Sequence, residues 1–225
     1  MKLLSSMATR EVLNELAAQF ERERSQSVTA EAAGGVDVAK RVQAGESVDV
    51  VVLASSAIDK LIADGKLRAG SRVDLVRSGV AIAVRAGSPR PDIATEAAVR
   101  RAVQSARTLS YSTGPSGVYL EKMFERWGIL GDLKARIVVP PPGVPVGSLV
   151  ASGAAELGFQ QLSELQALAG IVVLGPLPPE IQSITVFSGG VAAGSAAPEA
   201  ARALLDFMAS PATAATKQRH GMEPA

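Results

Sequence analysis

Residues 48–56 read "VDVVVLASS", and Val50 to Ala54 are apolar without a break. A strand with one solvated face alternates polar and apolar residues. An unbroken apolar run therefore predicts a strand covered on both faces, as in a parallel sheet flanked by helices. The run ends in Ser55-Ser56 and passes directly into "AIDKLIADGKL", a helical pattern that stops near Gly65.

The same order occurs twice before it. Leu3-Leu4 lead into Ser5, Ser6 and Met7, and Val12, Leu13, Leu16, Ala17 and Phe20 then recur at helical spacing. "SVTAEAAGG" predicts a second strand ending in Gly34-Gly35, followed by helical "VDVAKRVQAGE". Strand alternating with helix defines an α/β protein with a parallel sheet. In such sheets ligands sit beyond the carboxyl ends of the strands. Ser5-Ser6, Gly34-Gly35 and Ser55-Ser56 are thereby expected along one edge.

Further on, a long strand near 79–86 closes in a Pro-rich turn and a second α/β series begins. Helix "TEAAVRRAVQSA", strand "TLSYS", loop "TGPSG" and a helix from Val118 come first. Strand "ARIVVP", loop "PPGVPVG", helix "SLVASG", strand "AELGFQQ", helix "LSELQALAG" and strand "IVVLGPLP" follow. Another long strand spans about 183–192, and the remainder is helical apart from a break at Pro211. Two α/β series joined by two crossover strands predict two lobes. The first comprises residues 1–80 and 190–225, and the second, inserted, residues 81–189.

Lys and Arg total 23 against 22 Asp and Glu, so no net field favours nucleic acid or an anionic membrane. Aromatic residues are 4% of the chain, too sparse for base-stacking platforms. Cysteine is absent, which excludes disulfides, thiolate metal sites and a Cys nucleophile. The single histidine, His220, excludes a multi-histidine metal centre and is expected as a solvated tail residue. Neither a metal nor another cofactor is expected. No apolar run approaches the ~18 residues of a membrane span. Met1-Lys2 leads straight into the first strand without a signal peptide, so the expectation is a cytoplasmic protein as the sequence stands, or a periplasmic one whose leader was removed.

Hydroxyls and free backbone N–H groups at a helix N-terminus suit an anion, helped by the helix dipole. Ser5, Ser6 and Met7, Gly34-Gly35, Ser55, and Ser116-Gly117 ahead of Val118 supply such junctions; N-capping would explain any one of them alone. "TGPSG" lacks the Lys-Ser/Thr of a phosphate loop, and "GGVDVAKRVQAG" lacks the spacing of a dinucleotide fingerprint. Gln160 and Gln161 end a strand, where successive side chains face opposite sides and one can reach a ligand. Tyr111 and Tyr119 flank "STGPSG" and bring phenols able to bond an oxyanion or move a proton. Glu31, ahead of Gly34-Gly35, is a further candidate base.

Four stretches, "LLSSMATREVLNELAAQFE", "VAKRVQAGESVDVVVLAS", "GPSGVYLEKMFERWGI" and "LVASGAAELGFQQLSEL", resemble the molybdate-binding protein family of ABC transporters, in order along nearly the whole chain. The resemblance implies the α/β type II periplasmic-binding-protein fold. A small anion is then held between two hinged lobes by hydroxyls and backbone amides, and an ABC transporter permease is the implied partner. Matching positions are Ser5 or Ser6, Gly34-Gly35, Ser116 to Tyr119 (with Gly117 and Val118), and Gln160-Gln161. The family's serine cluster is "AAGG" here, and its tyrosine is replaced by Gln161. Both changes remove hydroxyls, and the glycines leave room for a larger ligand. The chain also resembles a branch of that family that includes aconitate isomerase. That branch implies an unsaturated tricarboxylate as ligand and a proton transfer, for which Tyr119, Tyr111 and Glu31 are the candidate residues.

Overall fold

The structure is a computed structural model, and it describes residues 1–141 and 143–225. Pro142, in the predicted loop "PPGVPVG", lies outside the described residues. The chain divides into two compact units: residues 1–78 with 185–225, and residues 79–184.

The first unit opens with β1 (Lys2–Ser6), α1 (Arg10–Arg24), β2 (Thr29–Ala33), α2 (Gly35–Gln43), β3 (Val50–Ala54), α3 (Ser55–Ala63) and the first half of β4 (Val73–Arg85). β1 pairs in parallel with β2 and with β3, with Ser5 opposite both Ala32 and Val52. On β3, Val50 and Val52 enter the core beneath α1, whereas Val51 and Leu53 enter the core with α2 and α3. Leu3 and Leu4 of β1 divide in the same way. This two-sided burial is the cause of the unbroken apolar run. The first helix starts later than the sequence pattern implied. Met7–Thr9 form a 3-10 turn, and the Thr9 hydroxyl donates to the Ser6 carbonyl at 3.1 Å, which holds the strand end before α1 begins.

The second unit takes β4 from Gly79 onward, then α4 (Glu96–Ser105), β5 (Leu109–Tyr111), α5 (Pro115–Arg126), α6 (Leu130–Leu133), α7 (Val146–Ser152), β6 (Leu157–Gln161), α8 (Leu162–Gln166) and β7 (Ile171–Pro176). β4 pairs antiparallel with β6 and β7, and β6 pairs in parallel with β5. Val80, Ile82, Leu109, Leu157 and Phe159 share a core with Leu120 and Phe124 of α5. The opposite face carries Ala81, Ala83 and Gly158, where a Cβ at Gly158 would strike Val150 of α7. Small residues there let α7 approach the sheet.

Two expectations fail in this unit. "ARIVVP" is not a strand: Lys134–Arg136 form a 3-10 turn, and Ile137 makes one isolated bridge to Leu109. Val138 donates to the Leu109 carbonyl, but Pro140 and Pro141 bring no N–H to extend the ladder. Second, α5 starts at Pro115 rather than Val118, because proline at the first helical position needs no N–H partner and is preset in φ.

β8 (Ile184–Val191), α9 (Pro198–Ala209), α10 (Ala214–Arg219) and β9 (Glu223–Pro224) complete the first unit from Thr185 onward. Its sheet has the order β2-β1-β3-β8-β4, with β9 on β4. His220 is no solvated tail residue. Its Nε2 lies 2.8 Å from Glu15 on α1, and 26% of its side chain is exposed. No described helix is long and apolar enough to cross a membrane.

Candidate functional site

In the first unit the parallel register brings the carboxyl ends of β1, β2 and β3 to one edge. Ser6 is opposite Ala33, directly before Gly34-Gly35. Gly34 precedes α2 and Gly35 is its first residue. A Cβ built on Gly35 would stand 3.8 Å from the Ser6 Cβ, so the glycine loop and the serine are neighbours. Ser5 and Ser6 are both buried. The Ser6 hydroxyl lies 3.5 Å from that of Thr9, and the Ser5 hydroxyl makes one long bond, 3.4 Å, to the Ser6 carbonyl. Met7 begins the 3-10 turn.

The serines do not cap the helices that follow them. Neither α2 nor α3 receives a side-chain cap, and Ser55 and Ser56 are the first two residues of α3, not the end of β3. The first N–H groups of a helix have no partner within it. By contrast, α4 starts in the ordinary way, with Thr95 accepting from the Ala98 N–H at 3.2 Å. Side-chain capping is absent from α1, α2, α3 and α5 to α10 alike, so the glycine and serine junctions are marked by the hydroxyls and glycines gathered there and not by the missing cap.

The second unit repeats the arrangement. β5 and β6 run in parallel with Tyr111 opposite Phe159, so Ser112 and Gln160 follow side by side at the carboxyl edge. Ser112 and Ser116 share a hydrogen bond of 2.9 Å, and α5 too has no side-chain cap. Ser116 and Gly117 belong to its first turn. A Cβ on Gly117 would fall on the Ser112 carbonyl oxygen, so only glycine lets the helix start close under the loop. Val118 is 50% exposed beside these donors, and Val36, next to Gly35 in the first unit, is 55% exposed. Gln160 and Gln161 are both buried. The Gln160 amide nitrogen donates one of its two hydrogens to Glu164 at 2.7 Å. Gln161 is the residue from which α8 starts.

The three candidate proton-transfer groups are engaged elsewhere. The Tyr119 hydroxyl donates to the Ile181 carbonyl at 2.8 Å. The Tyr111 hydroxyl donates to Glu121 at 3.2 Å, and burial, then the Glu121 charge, push its pKa far above the usual phenol range. Glu31 pairs with Arg41 at 2.6 Å and Lys2 at 3.6 Å; the hydrogen bond from Arg41 lowers its pKa and keeps it ionised. It belongs to a surface cluster in which the bonds from Arg41 and Lys2 hold Glu46 down at about 2. Among the described residues no three His, Asp or Glu side chains form a metal-ligating group.

Sequence reasoning missed Thr9, Ser112 and Glu164. Each hydrogen-bonds with a residue that had been singled out, and an i, i+3 or i, i+4 search around those residues would have found all three.

Residues 1–223 match the family model of bacterial extracellular solute-binding proteins, and the chain belongs to that family. Among curated proteins it is similar to aconitate isomerase of Pseudomonas sp., with 43% identity over 190 residues, covering 83% of this chain and 71% of that protein. Among solved structures it is similar to the periplasmic molybdate-binding protein of Azotobacter vinelandii, with TM-score 0.82, 23% identity, and 99% and 98% of the two chains covered. It is also similar to the sulfate-binding protein of Mycobacterium tuberculosis H37Rv, with TM-score 0.79, 15% identity, and 100% and 86% covered. The fold is therefore that of type II periplasmic binding proteins.

Proposed function

We propose that the protein is a substrate-binding protein for a small di- or tricarboxylate, with hydroxyl and backbone N–H groups at the carboxyl ends of parallel strands as the binding groups. The observation that carries this reading is the gathering of buried Ser5, Ser6 and Ser116 with Gly35 and Gly117 where helices start at the carboxyl ends of parallel strands. Exposed Val36 and Val118 beside those donors favour an anion with a carbon skeleton over a tetrahedral oxyanion such as molybdate. An ABC transporter permease is the proposed partner, as the family suggests.

A second reading is supported by the 43% identity to aconitate isomerase: an isomerase that moves a proton along an unsaturated tricarboxylate. It is opposed by the engagement of Tyr111, Tyr119 and Glu31 elsewhere.

Thermal shift with molybdate, tungstate, sulfate, citrate and both aconitates tests the ligand class, and NMR of cis-aconitate tests turnover. Stabilisation by carboxylates without turnover is expected. Stabilisation by molybdate alone would sink the carboxylate reading, and conversion of cis-aconitate to the trans isomer would establish the second.

A further inference from the structure

Gln160 carries a feature that an anion does not explain. It is 3% exposed, and among the described residues no donor meets its Oε1. The amide cannot turn to present its nitrogen instead. Glu164, one helical turn onward, accepts the Nε2 proton at 2.7 Å, and an ionised carboxylate offers no hydrogen to an amide oxygen. A flip would set oxygen against oxygen. The unpartnered atom of Gln160, near the end of β6, is therefore a buried acceptor fixed in place. Leaving such an atom without a donor is costly.

Such an oxygen is matched by a group that donates a hydrogen bond. A carboxylate does not qualify, because it only accepts. An alcohol does.

Resting on the reading of the protein as a carboxylate binder, we propose that Gln160 determines specificity by accepting a hydrogen bond from an alcohol hydroxyl of the ligand, so that the site selects hydroxycarboxylates over carboxylates without one. Glu164 is the positioning residue that fixes the amide. The ligand's carboxylates engage the backbone and serine donors, and its hydroxyl goes to Gln160.

Citrate and tricarballylate, which differ by that hydroxyl, test this by titration calorimetry. The wild-type protein is expected to bind citrate roughly tenfold or more tightly than tricarballylate, the size of effect that an unmet buried acceptor produces. In Gln160→Met, similar in length but without the acceptor, the ratio falls to near one. Glu164→Gln leaves Gln160 in place but lets its amide turn, and the ratio should fall there as well. This second variant carries the test if Gln160→Met does not fold. Equal binding of both compounds by the wild type, or a preference that survives in Gln160→Met, overturns the inference alone. Failure of both compounds to bind overturns the carboxylate reading and the inference with it.

Discussion

At the scale of the residue, Gly117 and Tyr119 invite opposite expectations. Gly117 sits where a Cβ would overlap the Ser112 carbonyl oxygen. Gly117→Ala must push α5 away from the loop. Overpacking of this kind costs about 1–3 kcal/mol. Denaturant unfolding should show that loss, and carboxylate-induced stabilisation should weaken because the Ser112–Ser116 pair is displaced. An alanine variant as stable as the wild type would mean that the loop yields freely. Tyr119 is a structural residue in this geometry. Tyr119→Phe removes its bond to the Ile181 carbonyl and should cost about 1 kcal/mol in unfolding free energy. Any cis-aconitate turnover should be unchanged, and its disappearance in NMR assays would show that the phenol acts in chemistry. The serine and glycine of "TGPSG" were legible as a candidate ligand loop. The close backbone approach that demands Gly117 was not, because it depends on where the chain returns in space.

At the scale of the element, α10 is tied to α1 through one carboxylate. Glu15 accepts from Arg219 at 2.6 Å and lies 2.8 Å from His220 Nε2. Its pKa is lowered, first by the bond with His220 and then by Arg219. A carboxyl with a folded-state pKa below its unfolded value stabilises the fold above the unfolded value, near 4.5 here. That contribution is lost as pH falls through the lowered folded-state value. Glu15→Gln should therefore flatten the acid limb of melting temperature against pH, and an unchanged limb would show that the contact contributes nothing. Lys217, on the same helix, is 1% exposed and has no hydrogen-bond or ion-pair partner among the described residues. Burial lowers its pKa. The unfolded chain then binds the extra proton, so stability rises with pH toward 10.5, the unfolded value. Lys217→Met should raise stability at neutral pH by on the order of 1 kcal/mol and abolish that rise. These contacts also mark what the sequence could not convey. "VDVVVLASS" was readable because both of its faces are covered, which leaves a pattern in the residues themselves. "ARIVVP" has the same local character, yet it remains unpaired apart from one bridge because prolines follow it. The role of His220 depends on a partner 205 residues away.

At the scale of the whole molecule, both β4 and β8 run across the boundary between the units, at Ser78–Gly79 and Ile184–Thr185. The formal net charge is +1, so the global field draws an anion only weakly. Affinity must come from local donors, and those proposed at the two carboxyl edges are neutral hydroxyls and amides. Binding should accordingly change little between low and high salt. A ligand at a hundred times its Kd adds about 2.7 kcal/mol to stability, which for a chain of this size is a rise in Tm of roughly 5–10 °C. Ser6→Ala removes a donor in the first unit and Ser116→Ala one in the second. Each should weaken binding about fivefold, the worth of one hydrogen bond. At fixed ligand concentration each should then take about 2–4 °C off the shift. Measuring the two variants side by side separates the possibilities. Loss in both shows that each hydroxyl contributes to the ligand-induced stabilisation. Loss in Ser116→Ala with a full shift in Ser6→Ala would confine the ligand to the second unit, and the opening serines would then serve only to hold Thr9 and the start of α1.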